Sequence, residues 1–158
     1  MSEAVEIGDR APGFSLPSEN GETVNIGDFI GKKPIVLFFY PKDHSSVCTR
    51  EVCAFRDNYD EFKRTGDTEV FGISSDSVES HKLFSSTYKL PYKLLSDEKG
   101  AVRELYGVPK TLGIFPGRVT YVIDRKGIVR HVISSLLTYK HHIEEAIEAL
   151  RRMDANKT

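Results

Sequence analysis

The chain is poor in cysteine and nearly balanced in charge. Its 158 residues hold two cysteines, and 22 Lys and Arg against 23 Asp and Glu leave a net charge of −1. Two thiols cannot build the disulfide framework on which small secreted scaffolds depend, and the pair is not spaced as C-x-x-C. Scattered, balanced charge gives no field to collect nucleic acid or anionic lipid, so neither partner is expected. The N-terminal stretch MSEAVEIGDRAPGF has no apolar run and carries acids early, which fits neither a signal peptide nor an Arg-rich transit peptide. No G-x-G-x-x-G follows a strand pattern, so no bound nicotinamide or flavin cofactor is expected. There is no repeat, low-complexity segment or dividing linker, and residues 1–158 read as one domain. That length buries roughly 68–70% of the surface of the unfolded chain.

What is present is an ordinary globular pattern of alternating strands and helices. PIVLFFY (Pro34 to Tyr40) is short, apolar and aromatic-rich between GKK and PKD, as a strand buried on both faces should be. From about Val47 the residues Cys48, Val52, Phe55, Tyr59 and Phe62 follow steps of three and four, which predicts one amphipathic helix ending near Gly66. EVFGISS (Glu69 to Ser75) reads as a strand, Ser77 to about Tyr88 as a helix capped by Asp76, and YKLLSD as a third strand. Gly100 to Tyr106 makes a short helix. RVTYVID and GIVRHVI form a hairpin turning around Asp124 to Gly127, and His141 to Met153 closes the chain as a helix. This order predicts an α/β, thioredoxin-like fold: a central mixed sheet with helices on both faces and an N-terminal extension.

Cys48 and Cys53 lie at different depths in the first helix. A thiol attacks as the thiolate, and unpaired amides with the helix dipole favour negative charge at a helix N-terminus. Cys48 is placed for that, whereas Cys53 lies more than a turn further along, so Cys48 is the expected attacker. On an unbroken helix, residues five apart have Cα atoms about 8.7 Å apart, beyond the roughly 4.4–6.8 Å of a disulfide. Any bond between them requires the helix start to unwind. A cysteine on an apolar helix face is also a common small core residue, and on spacing alone Cys53 reads as either. Zinc is disfavoured, because two thiols need two more ligands and the five histidines show no ligand spacing beyond the adjacent His141 and His142.

The string P-x-x-x-S-x-x-C, formed by Pro41, Ser45 and Cys48, resembles the active-site motif of peroxiredoxins. CTREVCAFRDNYDEF is similar to the peroxiredoxin Q, or bacterioferritin comigratory protein, subfamily. The likeness extends through GDRAPGFSLPSENGE, VLFFYPKD, VFGISSDSVESHKLF, LPYKLLSDEKGAVRELYGV and PGRVTYVID. Where that family often has Thr-Pro-Gly before the cysteine, Ser45, Ser46 and Val47 stand here. The resemblance implies an antioxidant peroxidase in which Cys48 is oxidised by hydrogen peroxide or an organic hydroperoxide. Cys53 then resolves the product as a disulfide, and thioredoxin or a similar dithiol protein recycles it. It assigns Pro41 to shielding the sulfur, Ser45 to the bound peroxide, Arg118 to the thiolate and the leaving oxygen, and Glu51 to orienting Arg118. It also implies a monomer rather than the large rings of other peroxiredoxins, with a dimer open, and leaves the compartment between a cytoplasm and a plastid after removal of a transit peptide. Two other readings remain: a dithiol–disulfide exchanger on the same fold, and a peroxide-sensing redox switch that exposes Phe55 and Tyr59 when the helix opens.

Overall fold

The computed structural model describes residues 4–111, 115–134 and 139–155, so both ends of the expected 1–158 unit lie outside the described residues. An N-terminal hairpin, β1 (Ser15–Pro17) and β2 (Thr23–Asn25), precedes β3 (Ile35–Phe39), α1 (Ser46–Asp57), α2 (Tyr59–Arg64), β4 (Glu69–Ser74), α3 (Val78–Tyr88), β5 (Lys93–Ser96) and α4 (Ala101–Tyr106). The chain continues through β6 (Lys110–Thr111), β7 (Phe115–Pro116), β8 (Val119–Ile123), β9 (Val129–Ser134) and α5 (Tyr139–Ala155). Five strands form the central sheet in the order β5-β4-β3-β8-β9. The β3–β4 and β4–β5 pairs are parallel; β3–β8 and β8–β9 are antiparallel. The sheet is mixed, as the thioredoxin-like reading requires.

Strand β3 is central because it is apolar on both faces. Val36, Phe38 and Tyr40 join a core with Val52 and Phe55 of α1, Phe62 of α2, Phe84 of α3 and Ile143, Ala146 and Leu150 of α5. Ile35, Leu37 and Phe39 alternate to the other face, against Val102 and Tyr106 of α4 and against Ala11, Val24 and Ile26 of the N-terminal segment. Both faces are covered, but unequally: one carries four helices, the other α4 and the N-terminal hairpin. Gly72 of β4 pairs with Phe38, and a Cβ there would lie 2.7 Å from Phe38 Cζ. The missing side chain leaves room for the Phe38 ring, which stacks on Phe55 at 4.2 Å and draws α1 onto the sheet.

Two details differ from expectation. The first helix is broken at Asn58 (φ −105°, ψ 9°), where the side-chain amide donates to the Ala54 carbonyl at 2.8 Å and competes with the backbone ladder. Asp76 does not cap α3; Ser77 does, accepting from the Ser80 amide at 3.1 Å, because the Asp76 carboxylate is turned toward the loop after β3.

Candidate active site

The site forms where β3 ends and α1 begins. Ser45 is the N-cap of α1 in extended conformation, and its side chain makes no cap hydrogen bond. The first intrahelical bond runs from the Thr49 amide to the Ser45 carbonyl at 2.8 Å. The amides of Ser46, Val47 and Cys48 therefore precede the ladder, and the positive end of the helix faces the sulfur of Cys48. Cys48 is 1% exposed, and both cysteines are free thiols.

Arg118, just ahead of β8, reaches this sulfur from beside the end of β3, on the sheet face that carries α1. Its Nη2 donates to Cys48 Sγ at 3.2 Å, and its Nη1 donates to Glu51 Oε1 at 2.5 Å. Cys48 and Glu51 are three residues apart and so share a face of α1, which lets one forked guanidinium serve both. Glu51 is fully buried; burial pushes its carboxyl up to about 7, opposed by the charge and hydrogen bond of Arg118. Glu51 Oε2 has no hydrogen-bond partner among the described residues, although His142 Nδ1 lies 3.7 Å away.

The other expected site residues fall nearby. Pro41 is half-buried at the end of β3, and the Ser45 hydroxyl donates to the Lys42 carbonyl at 2.9 Å. Cys53 lies one turn and a half further along α1, half-buried against the core that contains Cys48. Burial raises its thiol pKa, with Arg56 lowering and Asp57 raising it to a lesser degree.

A second set of residues, with no motif to announce it in the sequence, holds the loop 41–45. The Asp43 amide donates to Asp76 Oδ2 at 2.7 Å. The Asp43 carboxylate receives the Tyr40 hydroxyl at 2.5 Å and the Ser80 hydroxyl at 2.8 Å, and it faces His81 Nδ1 at 2.7 Å. His81 Nε2 faces the Leu95 carbonyl at 3.0 Å. The loop carries His44 at φ 64°, an uncommon left-handed conformation for a residue with a Cβ, with its ring 4.7 Å from that of Phe84. Asp43, Asp76 and His81 bring ligand-type atoms within 4.8 Å of one another. Those atoms are engaged with the loop, Ser74, Ser80 and Leu95, so the cluster anchors the loop. Partners 33 to 38 residues apart leave no local signal in a sequence.

A buried thiol at a helix start, bonded to a buried guanidinium, on a thioredoxin-like sheet defines the class: a thiol-dependent oxidoreductase. The AhpC/TSA family profile matches residues 7–132. Peroxiredoxin Q, chloroplastic, of Suaeda salsa is 47% identical over 150 residues, spanning 94% of this chain and 69% of that protein. Its counterpart in Arabidopsis thaliana is 47% identical over 148 residues, spanning 93% and 68%. Among solved structures, peroxidoxin BcpB of Mycobacterium tuberculosis matches with a TM-score of 0.86 at 35% identity, covering 94% of this chain and 98% of that one. The chain belongs to the AhpC/TSA family, in its peroxiredoxin Q branch, and is a thiol peroxidase. Membership carries a peroxide substrate and a thioredoxin-type reductant.

Proposed function

We propose that Cys48 is the cysteine that meets the peroxide and that Cys53 resolves it. The Cys48 thiolate attacks one peroxide oxygen; the O–O bond breaks, the sulfur becomes a sulfenic acid, and the other oxygen leaves with a proton as water or an alcohol. The Cys53 thiol then displaces the sulfenic hydroxyl as water and forms the Cys48–Cys53 disulfide. A thioredoxin-type dithiol reduces that bond by exchange and is itself oxidised.

The observation that carries this reading is the 3.2 Å hydrogen bond from Arg118 to the Cys48 sulfur at the start of α1. Arg118 favours the negative sulfur before attack and the charge that develops on the departing oxygen. Ser45 has its own proton engaged with Lys42, so its oxygen accepts a hydrogen bond from the peroxide O–H. Pro41, half-buried where the chain leaves β3, has in this reading the part of keeping bulk water from the sulfur.

The chain works as one domain and as a monomer, without a nucleic-acid or membrane partner; no helix among the described residues is long and apolar enough to cross a membrane. The plant relatives are chloroplastic, and this chain acts in a plastid or a cytoplasm, where a dithiol reductant keeps Cys48 and Cys53 reduced between turnovers.

The test is peroxide consumption coupled to thioredoxin and its reductase, with hydrogen peroxide and an organic hydroperoxide as substrates. Cys48→Ser abolishes turnover. Cys53→Ser consumes one equivalent and then stalls. Full activity of Cys48→Ser overturns the assignment.

A further inference from the structure

Arg103 is the second buried guanidinium near Cys48, and nothing in the cycle above uses it. It is 5% exposed, and among the described residues it forms no ion pair with a carboxylate. Its Nη1 donates to the Gly117 carbonyl and its Nη2 to the Tyr40 carbonyl, both at 3.1 Å, while Nε has no hydrogen-bond partner among those residues. A buried cation tied to neutral carbonyls is costly to keep, and a cost of this kind in a folded protein calls for a compensating role.

The sheet register shows what the two carbonyls have in common. The β3–β8 ladder ends at the pair Phe39 and Val119. Continued past that end, the register sets Tyr40 opposite Arg118 and Pro41 opposite Gly117. The Tyr40 amide is bonded to Ile73 of β4, and Pro41 has no N–H to donate to the Gly117 carbonyl, so the next rung is missing. The Arg103 fork takes the place of the missing rung. One of its carbonyls belongs to the residue before Pro41, the other to the residue before Arg118. Asp97 fixes the start of α4 by accepting the amides of Val102 at 3.1 Å and Arg103 at 2.9 Å, which holds the base of the side chain. Burial draws the Arg103 guanidinium below its ordinary value, opposed first by the charge of Asp97 and next by the sulfur of Cys48.

We propose that Arg103 is a positioning residue for peroxide reduction. It clamps the backbone ahead of Pro41 to the backbone ahead of Arg118 and adds a second buried positive charge within electrostatic reach of the Cys48 sulfur. The clamp matters because displacing reacting groups by an ångström reduces rates by about a hundredfold. Arginine suits the task because its planar fork meets two separated acceptors at once, which a lysine ammonium on a flexible stem does not.

The proposal rests on Cys48 as the attacking sulfur, so Cys48→Ser is measured alongside; activity surviving there overturns that assignment and leaves Arg103 without a target. In a Cys53→Ser background, two quantities are followed for Arg103→Gln and Arg103→Lys: the rate of the first peroxide turnover, and the pH at which residue 48 becomes alkylated. Arg103→Gln slows the first turnover at least about tenfold and moves alkylation to higher pH. Arg103→Lys leaves the alkylation profile near that of the parent, because the charge remains, but still slows the turnover, because the fork is gone. Should Arg103→Gln not fold, Arg103→Lys decides the matter. A parental turnover rate in Arg103→Lys overturns the clamp, and a shifted alkylation profile in Arg103→Lys overturns the assignment of the charge. A folded Arg103→Gln with parental rate and profile overturns both.

Discussion

The Nη2 of Arg118 lies 3.2 Å from the Sγ of Cys48, across 70 residues of sequence and from the residue that precedes the strand antiparallel to β3. The guanidinium sets a full positive charge directly against a buried sulfur. Arg118→Ala is expected to lower the rate constant for peroxide attack by about 10²–10³, the loss typical of removing one donor from a preorganised electrostatic site. Arg118→Lys keeps a charge without the fork that joins Cys48 to Glu51 and should fall between. Stopped-flow measurement of the first turnover checks this, and a parental rate in Arg118→Ala would falsify the role.

Glu51 makes the same cluster sensitive to pH. Its folded pKa, pushed up to about 7 by burial against the opposing Arg118, lies above the ordinary 4.5. The folded chain therefore holds a proton that the unfolded chain releases between those values. The stability this contributes is fully present below about 4.5 and is lost as pH rises through about 7, at about 1.4 kcal/mol for each pH unit between the two values. Glu51→Gln cannot titrate, so the fall in melting temperature between pH 5 and pH 8 should shrink in the variant. Parallel curves for the two proteins would remove Glu51 as the source.

The sheet and the thiol pair were legible because both are written in local pattern. The run from Pro34 to Tyr40 reads as a buried strand by its length, its flanks and its aromatic content, and the three-and-four spacing of Cys48, Val52 and Phe55 marks the face of α1 that meets it. The apolar spacing overruns the helix, continuing through Tyr59 and Phe62, whereas the Asn58 side chain takes the Ala54 carbonyl and breaks it. Asp76 has the short carboxylate and the position before Ser77 that suit a cap, and only the folded chain shows the Asp43 amide competing for it. Arg103 sits in a helix too short for a periodic signal, and its partners are carbonyls, which every residue possesses. Tyr40, Asp43 and His81 likewise acquire meaning only when β3 and α3 are packed together.

Gly72 is a position where a single methyl should be felt. An added Cβ meets Phe38 Cζ at 2.7 Å and Leu94 Cδ2 at 2.8 Å, and Phe38 cannot retreat because it is stacked on Phe55 at 4.2 Å. Gly72→Ala is expected to destabilise the fold by about 1–3 kcal/mol, as overpacking of a close-packed core does. It should also loosen the seat of α1. Denaturant unfolding measures the first effect; an unchanged midpoint would show that the core yields more easily than its packing implies.

Resolution by Cys53 should be limited by how readily α1 opens. Cys48 and Cys53 lie on one uninterrupted stretch of helix, which holds their Cα atoms about 8.7 Å apart, and a disulfide needs roughly 4.4–6.8 Å. The start of α1 must unwind before the sulfurs meet, and unwinding also relieves the burial that raises the Cys53 thiol pKa. Among the bonds resisting it is that of the buried Tyr92 hydroxyl, which donates to the Val52 carbonyl at 2.7 Å between the two cysteines. Tyr92→Phe keeps the ring and its packing against Phe38 but removes the bond, worth about 1 kcal/mol in the closed form and nothing once Val52 has left its place. Disulfide formation after a peroxide pulse should then quicken by up to about fivefold, with the rate of the preceding sulfenic acid step unchanged. Hydrogen exchange across residues 47 to 55 should rise on oxidation in both proteins. Equal resolution rates, or equal protection of the reduced and oxidised forms, would mean that the sulfurs meet by some route other than opening of this helix.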